Sequence, residues 1–257
     1  VAREVARGAL VAVRQRYHLA RDLGMCCGGE MELYVEPVAP SREALAEVVR
    51  AQAARRTLAL VTSLDGSPKR VVVDDLDPPV HGLHDGVFVE ILAPRERLFL
   101  FGQGHVARAV APIAHSVGFE IVVCDDGEGD SRVTVAHTRV ESFDPADVEC
   151  TLGELGARDY ELILTRDHAL DEDVLARLLA RADLEYIGLI GSAAKAARFF
   201  ARLSARGQVT PEGWARVRTP VGLPILAETP AEIAIAIVAE LVAVRARAQD
   251  RPRRLAA

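Results

Sequence analysis

The spacing of apolar residues along the chain changes several times, and each change marks a new element. Over residues 1–13 (VAREVARGALVAV), Val1, Val5, Ala9 and Val13 recur four apart, which predicts a helix with one apolar face. After the stretch DLGMCCGG, Met31, Leu33 and Val35 alternate with Glu30, Glu32 and Tyr34, the period of a half-buried strand. Pro37 and Pro40 end that strand. Ser41 is placed to cap a helix with Leu45, Val48 and Val49 on one stripe. TLALVTS and KRVVVDD flank Asp65-Gly66 and predict a hairpin. The loop LDPPVHGLHDG then leads to a further strand, VFVEIL. Residues 1–93 thus read as a small α+β domain.

Pro94 and a charged RER mark a boundary, and residues 94–257 follow another rule. Short, continuously apolar strands (RLFLFG, FEIVVCD, YELILT, EYIGLIG) alternate with helical stretches (HVARAVAPIAHSVG, DEDVLARLLARAD, SAAKAARFFARLSARG). Uninterrupted apolar strands separated by helices indicate a parallel sheet covered on both faces, hence an α/β domain. A last helix is expected from about Pro230 to Val244. The basic end, RARAQDRPRRLAA, reads as a frayed, solvated tail.

Composition narrows the function classes. A formal net charge of −6 argues against general nucleic-acid binding, which needs a basic footprint. No apolar run reaches the roughly 18 residues of a membrane span. The four cysteines do not form the framework of a secreted disulfide protein, and no cleavable signal segment is visible, so free thiols and a cytoplasmic setting are expected. Cys124 and Cys150 fall on or beside apolar stretches and read as buried thiols. His81 and His84 lie in a proline-bearing loop without a third ligand nearby, which fits a surface loop better than a metal site.

Three places carry candidate chemistry. In LFLFGQGHVARAV, Gly102-x-Gly104-x-x-Ala107 follows a strand and opens a helix at His105. Gly102 permits a tight turn, Gly104 lets an anion approach the backbone, and Ala107 lets helix and strand pack closely. The helix start then offers unpaired N–H groups to a phosphate. The next strand ends at Asp125, where a carboxylate can accept from ribose hydroxyls, with Asp126 as the fallback. Two later strand ends bring Asp167 with His168, and Gly191, Ser192 and Lys195. A serine and a lysine at a helix start can hold a second anionic group; the plain readings are an ordinary cap and a solvated side chain. The third place is Cys26-Cys27-Gly28-Gly29, two adjacent thiols on a permissive backbone.

Together, DLGMCCGGEMELYVEP, LFLFGQGHVARAVAPIA, YIGLIGSAAKAARFFARL and VRTPVGLPILAETPAEIAIAI resemble the xanthine dehydrogenase accessory proteins, the XdhC/CoxI family. The resemblance runs in order over nearly the whole chain and implies a Rossmann-like C-terminal half. It implies a maturation factor that binds the molybdenum cofactor (molybdopterin), protects it during insertion of the terminal sulfur, and delivers it to a molybdenum hydroxylase apoenzyme of the xanthine dehydrogenase type. The implied partners are that apoenzyme, a cysteine desulfurase or other sulfur donor, and a second copy in a homodimer, with no nucleic acid and no membrane. The family's cysteine–glycine motif falls on Cys26, Cys27, Gly28 and Gly29, and its glycine loop on Gly102, Gly104, His105 and Ala107. Its THDH segment becomes TRDH, so Arg166 departs while Asp167 and His168 match. The later IGS…K segment is Ile190, Gly191, Ser192 and Lys195. Family members carry further glycine-rich sequence ahead of this point, which implies a truncated or shortened first domain.

In this light Cys26 and Cys27 suit the molybdenum end of the cofactor, since soft thiolates attract such a metal. The turn at Gly104 suits its phosphate. The competing reading is an NAD(P)-dependent oxidoreductase using the Gly102 turn and Asp125, with His168 as acid or base. A third is an interaction module for which the sheet is only scaffold.

Overall fold

The computed structural model describes residues 12–26, 28–73, 81–125, 138–142, 155–156, 158–184 and 186–255. The chain divides into two compact units between Pro94 and Arg95.

In the first unit, β1 (Val13–His18) and β2 (Glu30–Val35) form an antiparallel hairpin with Val13 opposite Val35 and His18 opposite Glu30. Val13 therefore opens a strand and does not close the expected helix, the rest of which lies outside the described residues. A short helix, α1 (Leu19–Leu23), sits at the hairpin's tip. After a single 3-10 turn comes α2 (Arg42–Ala53), which packs Leu45, Val48 and Ala51 toward an antiparallel sheet. Val49 points outward at 65% exposure. Ser41 precedes α2 without capping it through its side chain; its hydroxyl instead accepts from Lys69 N at 3.0 Å. The sheet runs β4 (Arg70–Val73), β3 (Leu58–Ser63), β6 (Val87–Leu92), β5 (Gly82–His84). The expected hairpin about Asp65-Gly66 is the β3–β4 pair. β5 arises within the expected loop, pairing Leu83 with Phe88.

The second unit is a six-stranded, all-parallel sheet. Its strands are β7 (Arg97–Phe101), β8 (Glu120–Asp125), β9 (Arg139–Ser142), β10 (Tyr160–Ile163), β11 (Ile187–Leu189) and β12 (Val217–Arg218). They lie in the order β12-β11-β10-β7-β8-β9. The chain starts in the middle, winds outward to β9, then returns to β10 on the other side of β7 and winds out again. That is the doubly wound Rossmann order, whose crevice opens at the carboxyl ends of the paired strands β7 and β10, where the connections leave in opposite directions.

Each strand feeds two cores because successive side chains point to opposite faces. Phe99, Phe101, Val122 and Ile163 meet α4 (His168–Ala180) and α5 (Ala193–Ala205) through Val174, Leu175, Leu178, Phe199 and Leu203. Leu98, Leu100, Ile121, Val123 and Leu162 meet α3 (His105–Ser116) and α7 (Pro230–Leu255) through Ala107, Val110, Ala111, Ile237 and Leu241. A short α6 (Pro211–Trp214) precedes β12. The α7 backbone stays helical to Leu255, so the basic end is not a frayed tail; the helix continues along it. Cys124 is fully buried in the first of these cores, and Cys150 lies outside the described residues.

Candidate functional site

At the carboxyl edge of the parallel sheet, the turn after β7 is shaped by close packing. Gly102 has φ +108°, and a β-carbon there would stand 2.6 Å from Leu164 O and 2.9 Å from Thr165 Cα. The turn therefore lies directly on the backbone that leaves β10. Gly102 N also donates to Cys124 O at 2.8 Å, and Leu164 N to Phe101 O at 3.0 Å, extending the ladder past the strand ends.

Gly104 differs. No described atom lies within 4 Å of where its β-carbon would be. It is the N-cap of α3, extended at φ −65° and ψ −174°, and no side chain caps the helix. Arg108 N makes the first intrahelical bond, to Gly104 O at 3.1 Å. The N–H groups of His105, Val106 and Ala107 thus begin the helix without intrahelical acceptors, at the positive end of the dipole. Ala107 is fully buried where α3 meets the strand.

The neighbouring helix starts on this edge are closed by their own side chains. Asp167 caps α4 by accepting from Ala169 N at 2.6 Å. Ser192 caps α5 by accepting from Lys195 N at 3.2 Å. Lys195, a candidate to hold an anionic group with a solvated side chain as the alternative, is instead buried: its Nζ donates to Asp171 Oδ2 at 2.5 Å and to Ile190 O at 2.9 Å. Gly191, at φ +147°, leaves room for the lysine stem, since a β-carbon there would lie 2.6 Å from Lys195 Cδ. Asp125 ends β8 beside the same turn and accepts a hydrogen bond from the Gln103 side-chain amide. His168 is exposed on the first turn of α4, facing a surface cleft of about 400 Å³ with Glu172, Arg202 and Arg206.

Sequence reasoning missed Gln103, Thr165 and Asp171. Asp171 had a legible signal, because it falls at the start of the α4 stripe that continues through Val174, Leu175 and Leu178. A carboxylate on an apolar stripe requires a partner.

The thiol motif belongs to the first unit, at the tip of the β1–β2 hairpin. Gly24 ends α1 in the left-handed conformation, with Gly24 N on Ala20 O at 3.1 Å and Met25 N on Leu19 O at 3.1 Å. Leu19 N closes the loop onto Gly29 O at 2.9 Å. Cys26 is exposed on this closed loop, next to a half-exposed Met25. Cys27 lies outside the described residues, and no described atom stands within 4 Å of a β-carbon at Gly28. Arg21, the nearest cation in sequence, is engaged by Asp22 at 2.8 Å. That pairing, with the His18 N–H, holds the Asp22 carboxyl down at about 2. Among the described residues no three His, Cys, Asp or Glu side chains gather as metal ligands. The described residues also contain no helix long and apolar enough to cross a membrane.

Residues 98–241, more than half of the chain, match the XdhC Rossmann domain family. The chain belongs to that family. Among the proteins it is similar to, YqeB of Escherichia coli is 36% identical over 166 residues, covering 62% of this chain. The same match spans only 29% of YqeB's own length. A probable xanthine dehydrogenase subunit of Bacillus subtilis is 24% identical over 91% of this chain and 75% of that protein. The crystal structure of a xanthine dehydrogenase from Bacillus halodurans superposes with a TM-score of 0.75, at 24% identity over 97% of this chain and 80% of that one. That likeness establishes a shared fold. The XdhC Rossmann match begins within β7 and ends in α7, so it contains the whole glycine turn, Asp125, Asp171 and Lys195.

Proposed function

We propose that this XdhC-family protein is a carrier for the molybdenum cofactor, serving a xanthine dehydrogenase-type molybdenum hydroxylase. The observation that carries the reading is the open start of α3. It lies where the strand order reverses, its amides lack both intrahelical acceptors and a side-chain cap, and nothing described crowds Gly104. An anionic phosphate group suits such a start. Family membership and the xanthine dehydrogenase names of two relatives supply the client class.

The cargo is a pterin bearing a phosphate and a sulfur-held molybdenum. In this proposal the α3 amides hold its phosphate, while Cys26 and Cys27 of the first unit act in metal or sulfur handling with a cysteine desulfurase or other donor. Exposure of Cys26 on a closed loop suits thiolate chemistry, which requires solvent or partner access. The proposed setting is the cytoplasm.

A second reading, NAD(P) binding, draws on Asp125, which stands at the end of β8 where a ribose would be held. One titration separates the two. Wild-type protein should bind molybdenum cofactor released from a molybdoenzyme, and the Cys26→Ser/Cys27→Ser variant should keep its fold and lose retention of the cofactor. Unchanged retention in that variant removes the thiols from the account. Micromolar NAD(P) binding without cofactor binding reverses the ranking of the two readings.

A further inference from the structure

We propose that Lys195 and Asp171 are positioning residues for the glycine turn, setting the geometry of Gly102, Gly104 and the first amides of α3 from beneath. This inference rests on the anion-binding reading of that turn, and it concerns residues that do not themselves touch the ligand.

The connection runs through named atoms. Lys195 and Asp171 have side chains 7% and 1% exposed, and they meet at 2.5 Å. The ammonium also donates to Ile190 O, the last carbonyl before the turn at Gly191. The other oxygen of Asp171 accepts from Thr165 N at 3.1 Å and from the Thr165 hydroxyl at 2.7 Å. Thr165, with Leu164, forms the backbone against which Gly102 packs: a β-carbon added at Gly102 would stand 2.6 Å from Leu164 O and 2.9 Å from Thr165 Cα. Gly102 in turn bonds to Cys124 O, beside Asp125. One buried charge pair therefore ties α5, the end of β11, α4 and the loop after β10 to the turn after β7. Ile190 N closes the circuit on Ile163 O at 3.0 Å.

Two features show that this arrangement is specific and not just stable. Burying two charges is costly, and apolar side chains of similar volume commonly hold a core equally well. A lysine offers something a leucine cannot: directed N–H bonds that fix a carboxylate and a main-chain carbonyl at set angles. The sequence also keeps glycine at 191, in a left-handed conformation where a side chain would strike the lysine stem. The second feature is location. The pair bonds to Thr165 and Ile190, which leave the carboxyl ends of β10 and β11 beside the point where the strand order reverses, so an error there reaches the turn through Thr165.

The test uses the full chain and compares wild type, Lys195→Met/Asp171→Leu, and Thr165→Val. Removing both charges together leaves neither ion uncompensated, so the double variant should stay folded with a melting temperature close to wild type. Amide exchange of Gly102 and Arg108, whose N–H groups bond to Cys124 O and Gly104 O, should rise about tenfold in it, while the second half of α3 stays protected; affinity for molybdenum cofactor should fall about five- to tenfold. Thr165→Val keeps the ion pair, removes the hydroxyl, and should give a smaller change in the same direction. If the double variant does not fold, Thr165→Val alone decides. Unchanged exchange at Gly102 and Arg108 in the folded variants overturns the proposal, whatever happens to the melting temperature. If wild type binds neither the cofactor nor NAD, the anion-binding reading fails, and the exchange result still decides whether the pair positions the turn.

Discussion

Gly102, Gly104 and Gly191 look alike in sequence and do three different jobs. Gly102 is small because a backbone passes within contact distance, and Gly191 because a lysine stem does. Gly104 is the one whose missing side chain leaves open space. Their substitutions should therefore separate cleanly. Gly102→Ala forces a β-carbon to 2.6 Å from a carbonyl oxygen at positive φ. It should cost about 3 kcal/mol or more in urea denaturation. Gly104→Asp meets no obstacle and adds a good N-cap, so it should preserve or raise stability by a few tenths of a kcal/mol. The same carboxylate occupies the place of the anion, so cofactor retention should disappear. A Gly104→Asp protein that still binds the cofactor would place the phosphate elsewhere. The glycine pattern was legible from its position between strand and helix; the division of labour was not, because it depends on which neighbour fills the space above each Cα. Lys195 shows the same limit. A lysine in a first helical turn reads as solvated until Asp171 is seen opposite it, and both charges sit on the apolar stripes of adjacent helices.

At the scale of elements, β10 carries an oddity at the far end from the ligand edge. Glu161, opposite Phe99 and Ile187, is fully buried, and among the described residues neither carboxylate oxygen has a hydrogen-bond partner. Burial is the main force pushing its pKa well above the usual carboxylate range, and Asp159 adds to it. Arg181 opposes the shift, but it is engaged with Asp183, while Arg97 is bound to Asp159 at 2.5 Å. The folded chain thus keeps a proton on Glu161 that the unfolded chain releases above its ordinary pKa. This group's contribution is fully present below the unfolded pKa and is lost as pH rises toward the folded value, at most about 1.4 kcal/mol per pH unit. Denaturation between pH 5 and 9 should show that slope reduced in Glu161→Gln, and Glu161→Leu should be more stable than wild type at pH 8. Equal slopes would mean that Glu161 is ionised in the fold. Most elements of this unit were legible from their apolar runs: β7, β8, β10 and β11 were each written as one. β9 and β12 were not, since RVES carries a single apolar residue and Val217–Arg218 is too short to show any period. A buried glutamate inside YELI was likewise invisible, because a lone polar residue in a strand normally marks its solvent face.

For the molecule as a whole, the doubly wound order was within reach of the sequence as a class, from alternation of apolar strands and helices. The strand order itself depends on long-range pairing that no local pattern encodes. The first unit shows the opposite balance. Its β3–β4 hairpin announced itself through Asp65-Gly66, whereas the opening helix expected through Val13 gives way there to a strand paired with Val35. At Val13 cross-strand pairing outweighs the spacing of four; Val1, Val5 and Ala9 lie outside the described residues. The proposed function is what gives the exposed thiol loop and the open α3 start a common purpose, which neither unit shows by itself. The central claim is that this purpose is carriage of a phosphate-bearing molybdenum cofactor. The most direct measurement is to purify the protein from cells that make the cofactor, with tungstate-grown cells as control, and identify by mass spectrometry and metal analysis what accompanies it. The account predicts molybdopterin and molybdenum together, with molybdenum absent from the control. Recovery of NAD(P) alone, or of protein free of any pterin, would contradict it.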